Sequence, residues 1–415
     1  MAPLLNVDTA KSKILTDLQT LPAETVSLPD ALDRVLAEDI VSPIDLPPFD
    51  NSAMDGYAIH YEDSAGSSRE HPVTLSVSMD ILAGEAPTGM LERGSAARIM
   101  TGAPIPPGAS AVIPVEDTDD DWSKGEDSPL PDQVRLFRSL DCGDNIRLAG
   151  ENIKAGETIM RAGAVIGPAE IGMLAGIGCA KPSVIRQPKV VILSSGDELV
   201  DAHQPLEPGL IRDTNSYTLA ALIRKSGGVP IRLPIAKDSL ESIRALYRRA
   251  LEINPDMIIS TAGVSVGAAD LVKVVMDELG DIDFWRINMR PGKPLAYGTI
   301  QGIPFFGLPG NPVSTMVTYE VLVRPALEKI AGRKSKPRIV TATIADEMKS
   351  DGRRSYNRVT LSREQERLIA RSTGIQSSGA LMSMVLADGL AVIPEGLTHI
   401  PAGEELSVLL LRDLD

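Results

Sequence analysis

The chain has 415 residues, of which 43% are hydrophobic and only 3% are aromatic, and its formal net charge at pH 7 is −15. This length predicts roughly two to four domains, whose cores must be built from Val, Ile, Leu and Ala. The acidic balance argues against binding to nucleic acid or to an acidic membrane surface, because each needs a basic protein face.

Two cysteines, Cys142 and Cys179, occur without a CxxC spacing. They form neither a disulfide framework nor a structural zinc motif, which is typical of a reducing compartment. The first residues lack the pattern of a signal peptide, and no apolar run reaches the roughly 18 residues that span a bilayer. We therefore expect a cytoplasmic protein that does not contact the membrane.

Residues 1–185 have an irregular pattern: a helix near 8–20, followed by short strands between Pro- and Gly-rich turns. The clearest examples of these strand segments are 46–59, 97–116 and 155–167. Frequent Pro- and Gly-rich turns between short strands indicate an elongated β-rich region with few helices.

Residues 186–333 alternate between apolar strands and amphipathic helices. The predicted strands are 189–195, 230–236, 255–261, 283–289 and 303–308, and the predicted helices are 217–225, 238–251, 269–279 and 313–330. This alternation predicts βαβ units in a doubly wound parallel sheet. Residues 334–415 return to short strands, which predicts a small β-barrel or sandwich.

Five polar, Gly-rich segments each follow an apolar strand of the α/β region. They are SGDE (195–198), AKD (236–238), AGVSVG (262–267), RPGKP (290–294) and LPGNP (308–312). Loops after parallel strands emerge at the carboxyl edge of the sheet, where doubly wound folds bind ligands. Turn residues alone could explain one or two such loops, but five favour a binding site.

Two of these positions have an ordinary structural interpretation as well. Asn311 and Pro312 look like the N-cap and first residue of a helix, although free N–H groups at such a start also bind anions. Asp213, in the segment Asp213-Thr214-Asn215, is more often a helix cap than a ligand contact.

The charged residues near these loops point to a metal and an oxyanion. Glu198 and Asp270 each lie just beyond a strand end, and carboxylates with open positions are what Mg²⁺ uses when it bridges to phosphate. An acid early in a helix also favours the helix dipole, so a structural role for Asp270 stays open. Arg286, Arg290 and Lys293 lie on and just after one predicted strand, and Arg286 and Arg290, four residues apart, are expected to point to the same face. An oxyanion ligand would explain these three cations, and solvated surface charge is the alternative.

Other chemistries are disfavoured. The four histidines lie outside the five loops, so no nucleophilic triad is visible. GVSVG lacks the GxGxxG spacing of a dinucleotide-binding turn, which argues against a dehydrogenase.

Six motifs together carry a family resemblance. They are FDNSAMDGYA (49–58), IMTGAP (99–104), SSGDEL (194–199), TAGVSVGAAD (261–270), RPGKP (290–294) and GLPGNPVS (307–314). In this order they resemble the molybdopterin molybdenumtransferase family, which includes bacterial MoeA proteins and the E domain of gephyrin. The resemblance covers essentially the whole chain.

The resemblance implies a homodimer with a dimerisation region over 1–185, interrupted by an inserted β-domain at roughly 46–142. A molybdopterin-binding α/β domain (186–333) and a C-terminal β-domain (334–415) follow. The implied reaction inserts molybdate into adenylylated molybdopterin with Mg²⁺ and releases AMP, giving molybdenum cofactor. The adenylyltransferase that makes this substrate is a possible partner.

The resemblance also implies roles for individual residues. Glu198 and Asp270 would hold the metal near the phosphates, with Asp238 near the ligand. Asp55 and Thr101 would complete the site from the other subunit, and Arg290, Lys293, Arg358 and Ser378 would hold the oxyanion. The other residues expected to bind the pterin substrate lie on or beside the loops: Gly196, Asp213, Asn215, Gly263, Ser265, Gly267, Arg286, Pro309 and Asn311.

Two alternative functions stay open. The preceding reaction, adenylylation of molybdopterin, uses the same central fold, but the extra regions on both sides of that domain favour metal insertion. A non-catalytic scaffold like gephyrin is the second alternative. One departure from the family pattern is Asn152, which stands where many members have Asp.

Overall fold

The computed structural model describes residues 4–122, 129–261, 269–334 and 338–414, and of residues 269, 270, 273 and 284 it describes only the backbone. Chain contacts group these residues into two compact units. The first unit consists of Met1–Ala37, Gly163–Gly167 and Pro182–Asp415. The second unit consists of Glu38–Ala162 and Pro168–Lys181.

The second unit is built on a five-stranded sheet. Its strands, in spatial order, are Ala111–Pro114, Gly56–Ile59, Ser95–Ile99, Ser68–Ile81 and Gln133–Arg138. Alternation along Gly56–Ile59 sends Tyr57 and Ile59 into one core and Ala58 into the core on the other face. The sheet lies inside the β-domain predicted at 46–142. The unit also contains the strands Ile40–Val41, Asn51–Ser52, Ile146–Arg147 and Thr158–Met160, the helix Pro168–Gly176 and the 3₁₀ helices Tyr61–Ser64 and Val115–Asp117.

The first unit contains a six-stranded central sheet. In chain order its strands are β1 (Lys189–Leu193), β2 (Val229–Arg232), β3 (Met257–Ser260), β4 (Gly280–Arg286), β5 (Pro294–Ile300) and β6 (Ile303–Gly307). Their spatial order is β2-β1-β3-β6-β5-β4. The first four of these are mutually parallel, whereas β5 is antiparallel to both β6 and β4. Two antiparallel steps return β4 to the common direction, so every strand except β5 ends at the same edge.

Helices cover both faces of this sheet. They are α1 (Val7–Thr16), α2 (Thr214–Lys225), α3 (Leu240–Glu252), α4 (Ala269–Leu279), α5 (Pro312–Thr318) and α6 (Arg324–Ile330). Val190 and Ile192 of β1 point into a core shared with α1, α2, α5 and α6. Val191 and Leu193 point to the opposite core, shared with α3 and α4. Because both faces of β1 are buried, its sequence is a continuous run of apolar residues.

Two features of the helical layer were not predicted. A π-helical segment, Tyr319–Val323, joins α5 to α6 just before Pro325, which has no N–H to continue the α-helical ladder. The N-terminal helix α1 buries Val7, Ala10 and Ile14 in the core that contains Leu327 of α6. Helix α1, which the sequence placed in the β-rich region, therefore packs with the α/β domain.

The C-terminal domain is a closed barrel of five strands. These are β7 (Ile339–Ile344), β8 (Arg354–Glu364), β9 (Arg367–Ser372), β10 (Gly389–Ile393) and β11 (Glu405–Leu410). The pairing runs β8-β9-β7-β11-β10 and returns to β8.

The short strand Met289–Arg290 pairs in parallel with Arg354–Ser355, so the barrel is tied to the loop after β4. The remaining elements of this unit are the strand pairs Ala23–Thr25 with Ser183–Ile185, Leu199–Val200 with Ile211–Arg212 and Met348–Lys349 with His399–Ile400, the 3₁₀ helix Leu28–Ala31 and the helix Met382–Leu386.

The predicted class, a multidomain α/β and β protein with a doubly wound central domain and a small C-terminal barrel, is confirmed. Two details were wrong. The central sheet is mixed, because β5 was not predicted, and the strand expected over 283–289 ends at Arg286. Within the part of the chain that the structure describes, no helix is both long and apolar enough to cross a bilayer.

Candidate active site

A cavity of about 1160 Å³ lies between the carboxyl edge of the central sheet and the C-terminal barrel. Four of the five predicted loops contribute to its wall. Their lining residues are Ser195, Gly196 and Glu198, then Asp238, then Arg290–Pro294, then Pro309–Pro312. Thr261, which directly follows β3, also lines the cavity. The fifth predicted loop, 262–267, comes next in the chain and lies outside the described residues.

The loop after β1 brings two acidic segments together. The backbone N–H of Asp197 donates to the Asp238 carboxylate at 3.4 Å, and the N–H of Asp238 donates back to the Asp197 carboxylate at 3.2 Å. Glu198 is exposed, and its carboxylate folds over Gly196, where a Cβ would lie 2.7 Å from Oε2. Gly196 therefore leaves the space in which the Glu198 carboxylate sits.

The start of α2 braces the loop after β6. Buried Asp213 accepts a hydrogen bond from the Ser216 N–H at 3.0 Å, so it is a helix cap, as its sequence context suggested. The Asn215 side chain donates to the Gly310 carbonyl at 2.7 Å, and the Thr315 hydroxyl donates to the Pro309 carbonyl at 2.5 Å. Asn311 occupies the N-cap position of α5, but its exposed side chain makes no cap bond.

The loop after β4 separates three cations that the sequence grouped together. The Ile287 N–H donates to the Lys293 carbonyl at 2.7 Å and closes the loop. Arg290 and Lys293 line the cavity, but Arg286 is not among the described lining residues. Arg286 is the last residue of β4 and Arg290 lies on the next short strand, so the four-residue spacing does not run along one strand. A binding role for Arg286 stays a prediction.

Arg358 of the barrel is the most unusual side chain of the cavity wall. It is only 1% exposed, yet its guanidinium meets only neutral acceptors: the Ser383 hydroxyl at 3.2 Å and the carbonyls of Ser377 at 3.2 Å and Tyr356 at 3.4 Å. No carboxylate of the described residues pairs with it. Burial, and then the positive charge of Arg290, lower the pKa of Arg358 to about 10, so it remains charged at neutral pH.

The segment 373–380 completes the barrel wall. The Gln376 side chain accepts from the backbone N–H of Arg358 at 2.9 Å and donates to its carbonyl at 3.0 Å, which fixes the backbone that carries the guanidinium. The carbonyl of Ser378 accepts from the Val313 N–H at 3.0 Å. Ser378 therefore joins the barrel to the start of α5, and it lines the cavity with Arg290, Lys293 and Arg358.

Cations outnumber acids on the described wall of the cavity. The cationic residues are Arg212, Arg290, Lys293, Lys349, Arg353 and Arg358, and the acidic ones are Glu198, Asp213, Asp238 and Glu347. Glu347 is already paired with Lys349 and His399, each at 3.1 Å. In a chain of net charge −15 this local excess of positive charge favours an anionic ligand.

The two residues expected from the N-terminal half lie in the second unit and contact each other. The hydroxyl and the backbone N–H of Thr101 both donate to Asp55 Oδ1, at 2.7 and 2.6 Å. Both residues are exposed. Two loops that are 46 positions apart in sequence thus form one polar pair.

The expected metal ligands are only partly described. Asp270 is the second residue of α4, but its side chain is not described, and Gly263, Ser265 and Gly267 lie outside the described residues. In the described part of the chain, no group of three or more His, Cys, Asp or Glu side chains is arranged to hold a metal ion.

Sequence reasoning missed several residues of the cavity wall. Arg353, Asn357, Gln376 and Ser377 all line it, and all belong to the barrel or its connections. Their common signal is a polar residue on a short strand or turn, which is too frequent to identify a site. Only the fold brings them opposite the loops of the central sheet.

A doubly wound domain whose carboxyl edge meets a cation-lined cavity is typical of proteins that bind an anionic small molecule. Three family models match the chain: "MoeA N-terminal region (domain I and II)" over residues 5–178, "Probable molybdopterin binding domain" over 191–329 and "MoeA C-terminal region (domain IV)" over 341–411.

Full-length relatives agree with these matches. The chain is 38% identical over 395 residues to molybdopterin molybdenumtransferase 2 of Mycobacterium tuberculosis, covering 92% of this chain and 94% of the relative. It is 36% identical over 414 residues to molybdopterin molybdenumtransferase of Haemophilus influenzae, covering 98% of both. A solved structure of a molybdopterin biosynthesis MoeA protein from Pyrococcus horikoshii matches with a TM-score of 0.82 at 33% identity, over 99% of this chain and 100% of the other. The chain belongs to the molybdopterin molybdenumtransferase family.

Proposed function

We propose that this protein inserts molybdate into the dithiolene of adenylylated molybdopterin and releases AMP, forming molybdenum cofactor. Relatives that carry the name of this activity are similar to the chain over more than nine-tenths of its length. The lining of the cavity supports the same reaction, because it offers both cations to an oxyanion and carboxylates to a metal ion.

One observation carries the proposal: Arg358 lines the cavity, and its buried guanidinium has no carboxylate partner among the described residues. Burying a charge costs free energy unless an opposite charge or strong hydrogen bonds offset it. Repulsion by the positive charge of Arg290 adds to the effect of burial in lowering the pKa of Arg358. A tetrahedral dianion between them would remove both costs and accept the unused donors of each guanidinium.

The size of the cavity supports a second, larger ligand. Its volume of about 1160 Å³ exceeds the 300–1,000 Å³ that is usual for small-molecule pockets. A tetrahedral oxyanion fills only a small part of such a volume. The loops after β1, β2 and β6 are then available to the adenylylated pterin, whose dithiolene would reach the end at Arg358.

The carboxylates at the sheet edge fit Mg²⁺. Glu198 and Asp238 offer hard oxygen donors at the cavity wall, and α4 carries Asp270 at its start. Mg²⁺ is ordinarily held by one or two carboxylates together with water and substrate phosphates, so a preformed cluster of three acids is not required. When bound, Mg²⁺ supplies charge neutralisation on the phosphoanhydride. Arg290, Lys293 and Arg358 hold and orient the oxyanion, so the protein's own contribution is mostly positioning.

We further propose that the protein works as a cytoplasmic homodimer whose active sites are shared between subunits. The Asp55–Thr101 pair supports this assignment, because two exposed loops that bond to each other offer a rigid polar surface to a neighbouring chain. In a two-fold dimer such a surface would reach the partner's cavity twice, in equivalent ways. The adenylyltransferase that supplies the substrate would be a transient partner.

AMP release tests the proposal. The protein is mixed with adenylylated molybdopterin and Mg²⁺, with or without molybdate, and AMP is quantified by chromatography. We expect release that requires both molybdate and Mg²⁺, and a variant Glu198→Ala that has lost it with an unchanged melting temperature. Consumption of ATP with unadenylylated molybdopterin would instead support the adenylyltransferase alternative. Absence of both reactions would favour a scaffold.

A further inference from the structure

A tight turn of the barrel, residues 350–353, is fixed against the strand that carries Arg290. The Arg354 N–H donates to the Asn288 carbonyl at 3.1 Å, and Arg353 Nη1 donates to the Met289 carbonyl at 3.0 Å. Inside the turn, the Ser350 hydroxyl donates to the Arg353 carbonyl at 3.1 Å. These hydrogen bonds therefore hold the turn and the loop after β4 in a fixed relative position.

Asp351 of this turn lies between two arginines and binds them unequally. Arg353 Nε lies 3.1 Å from each carboxylate oxygen, and Arg353 Nη2 lies 2.5 Å from Oδ2. Arg290 Nη1 is 3.7 Å from the same Oδ2. The hydrogen bond from Arg353, more than the charge of Arg290, lowers the pKa of Asp351, so the carboxylate stays ionised at neutral pH. Arg353 fixes Asp351, and Asp351 restrains Arg290.

The hold on Arg290 is weak and reversible. The side chains of Arg290 and Asp351 are 51% and 39% exposed, and ion pairs of this length and exposure contribute little. Arg290 and Arg353 line the cavity, whereas Asp351 is not among its described lining residues. An oxyanion can thus bind Arg290 from the cavity side while Asp351 remains anchored to Arg353 behind it.

Resting on the proposed function, we propose that Asp351 is a positioning and specificity-determining residue for the oxyanion. It is the resting counter-ion of Arg290, and its negative charge keeps the affinity of the pocket low enough for the oxyanion to pass on to the dithiolene. Coulomb energy scales with the charge of the ligand, so Asp351 weakens the binding of a dianion twice as much, in free energy, as the binding of a monoanion of the same shape.

Equilibrium binding of two tetrahedral anions tests this role. Dissociation constants for molybdate and for perchlorate are measured by titration calorimetry on the full chain and on Asp351→Asn. We expect binding of molybdate to tighten by about tenfold and binding of perchlorate by about threefold. The matched control is Glu364→Gln: Glu364 pairs with Arg371 on the barrel at 2.6 Å, has similar exposure and does not line the described cavity wall. It should leave both constants unchanged.

A second variant is expected to change molybdate binding in the opposite direction, which distinguishes an effect of the Asp351 charge from a general loss of folding. Arg353→Lys retains the positive charge but loses the two-pronged hold on Asp351, so Asp351 should move towards Arg290 and molybdate binding should weaken. In turnover, Asp351→Asn should lower KM for molybdate and also lower kcat, because tighter binding in the pocket raises the barrier for transferring molybdate to the dithiolene. Unchanged or weaker molybdate binding by Asp351→Asn, or equal tightening for both anions, would overturn the proposal. AMP release by the unaltered protein judges the proposed function separately.

Discussion

At the scale of single residues, Arg358 gives the sharpest test of the oxyanion pocket. The buried guanidinium has no carboxylate partner among the described residues, so replacing it by methionine removes a charge whose burial costs free energy. We expect Arg358→Met to melt at the same temperature as the unaltered protein or higher, while AMP release falls by about 100-fold or more. Molybdate at about 100 times its dissociation constant should stabilise the unaltered protein by about 2.7 kcal/mol and the variant not at all.

Thermal unfolding with and without molybdate measures this directly. Arg371→Met, which removes an exposed arginine from the same barrel, is the control and should retain the molybdate-induced shift. An undiminished shift in Arg358→Met would remove this residue from the oxyanion site.

Residue by residue, the sequence predicted some of the site and not the rest. Arg290 and Lys293 could be found because they follow an apolar strand in a Gly-Pro turn. Arg358 and Ser378 entered only through the family resemblance, since a lone arginine on a barrel strand carries no local signal. The spacing alone could not show that β4 ends at Arg286, so the predicted alignment of Arg286 with Arg290 along one strand was not found.

At the scale of elements, the loop after β4 depends on how closely it packs. Gly292 has φ +105, and a Cβ there would lie 2.5 Å from the Thr318 hydroxyl and 3.0 Å from Met289 Cε. We expect Gly292→Ala to destabilise the fold by about 2–3 kcal/mol and to weaken molybdate binding, because the loop that carries Arg290 and Lys293 must shift.

Gly403→Ala is the matched control for this change. Gly403 has φ +91 with no heavy atom within 4 Å of a built Cβ, so it isolates the cost of backbone strain, about 1 kcal/mol. Urea titrations give the two free energies of unfolding. Equal losses in the two variants, with unchanged molybdate binding by Gly292→Ala, would show that packing of this loop does not set the site.

Most helices and strands of the α/β domain could be predicted from the sequence, because the patterns that indicate them are local. Apolar strands alternate with amphipathic helices, and α4 has the predicted bounds Ala269–Leu279. Strand β5 was missed because its start, Pro294, belongs to the RPGKP turn, and its antiparallel pairing depends on neighbours distant in sequence. For the same reason the sequence predicted a helix near 8–20 but not its packing partner, α6.

At the scale of the whole molecule, the proposal of shared sites predicts complementation between inactive subunits. Asp55→Asn and Glu198→Ala should each abolish AMP release in a homodimer. Mixed dimers should regain about a quarter to a half of the activity, because one of their two sites then carries neither change. Activity is measured after subunit exchange has been verified by native mass spectrometry. A verified heterodimer without activity would mean that each chain builds its own site.

The central claim is that the cavity between the central sheet and the barrel holds the oxyanion, and the most direct measurement is to locate it. Crystals of the protein soaked with tungstate, a tetrahedral dianion with strong anomalous scattering, show the position of the metal atom without reference to any assay. The account predicts an anomalous peak with its oxygens within hydrogen-bonding distance of Arg290, Lys293 and Arg358. A fully occupied peak elsewhere, with none in this cavity, would contradict it.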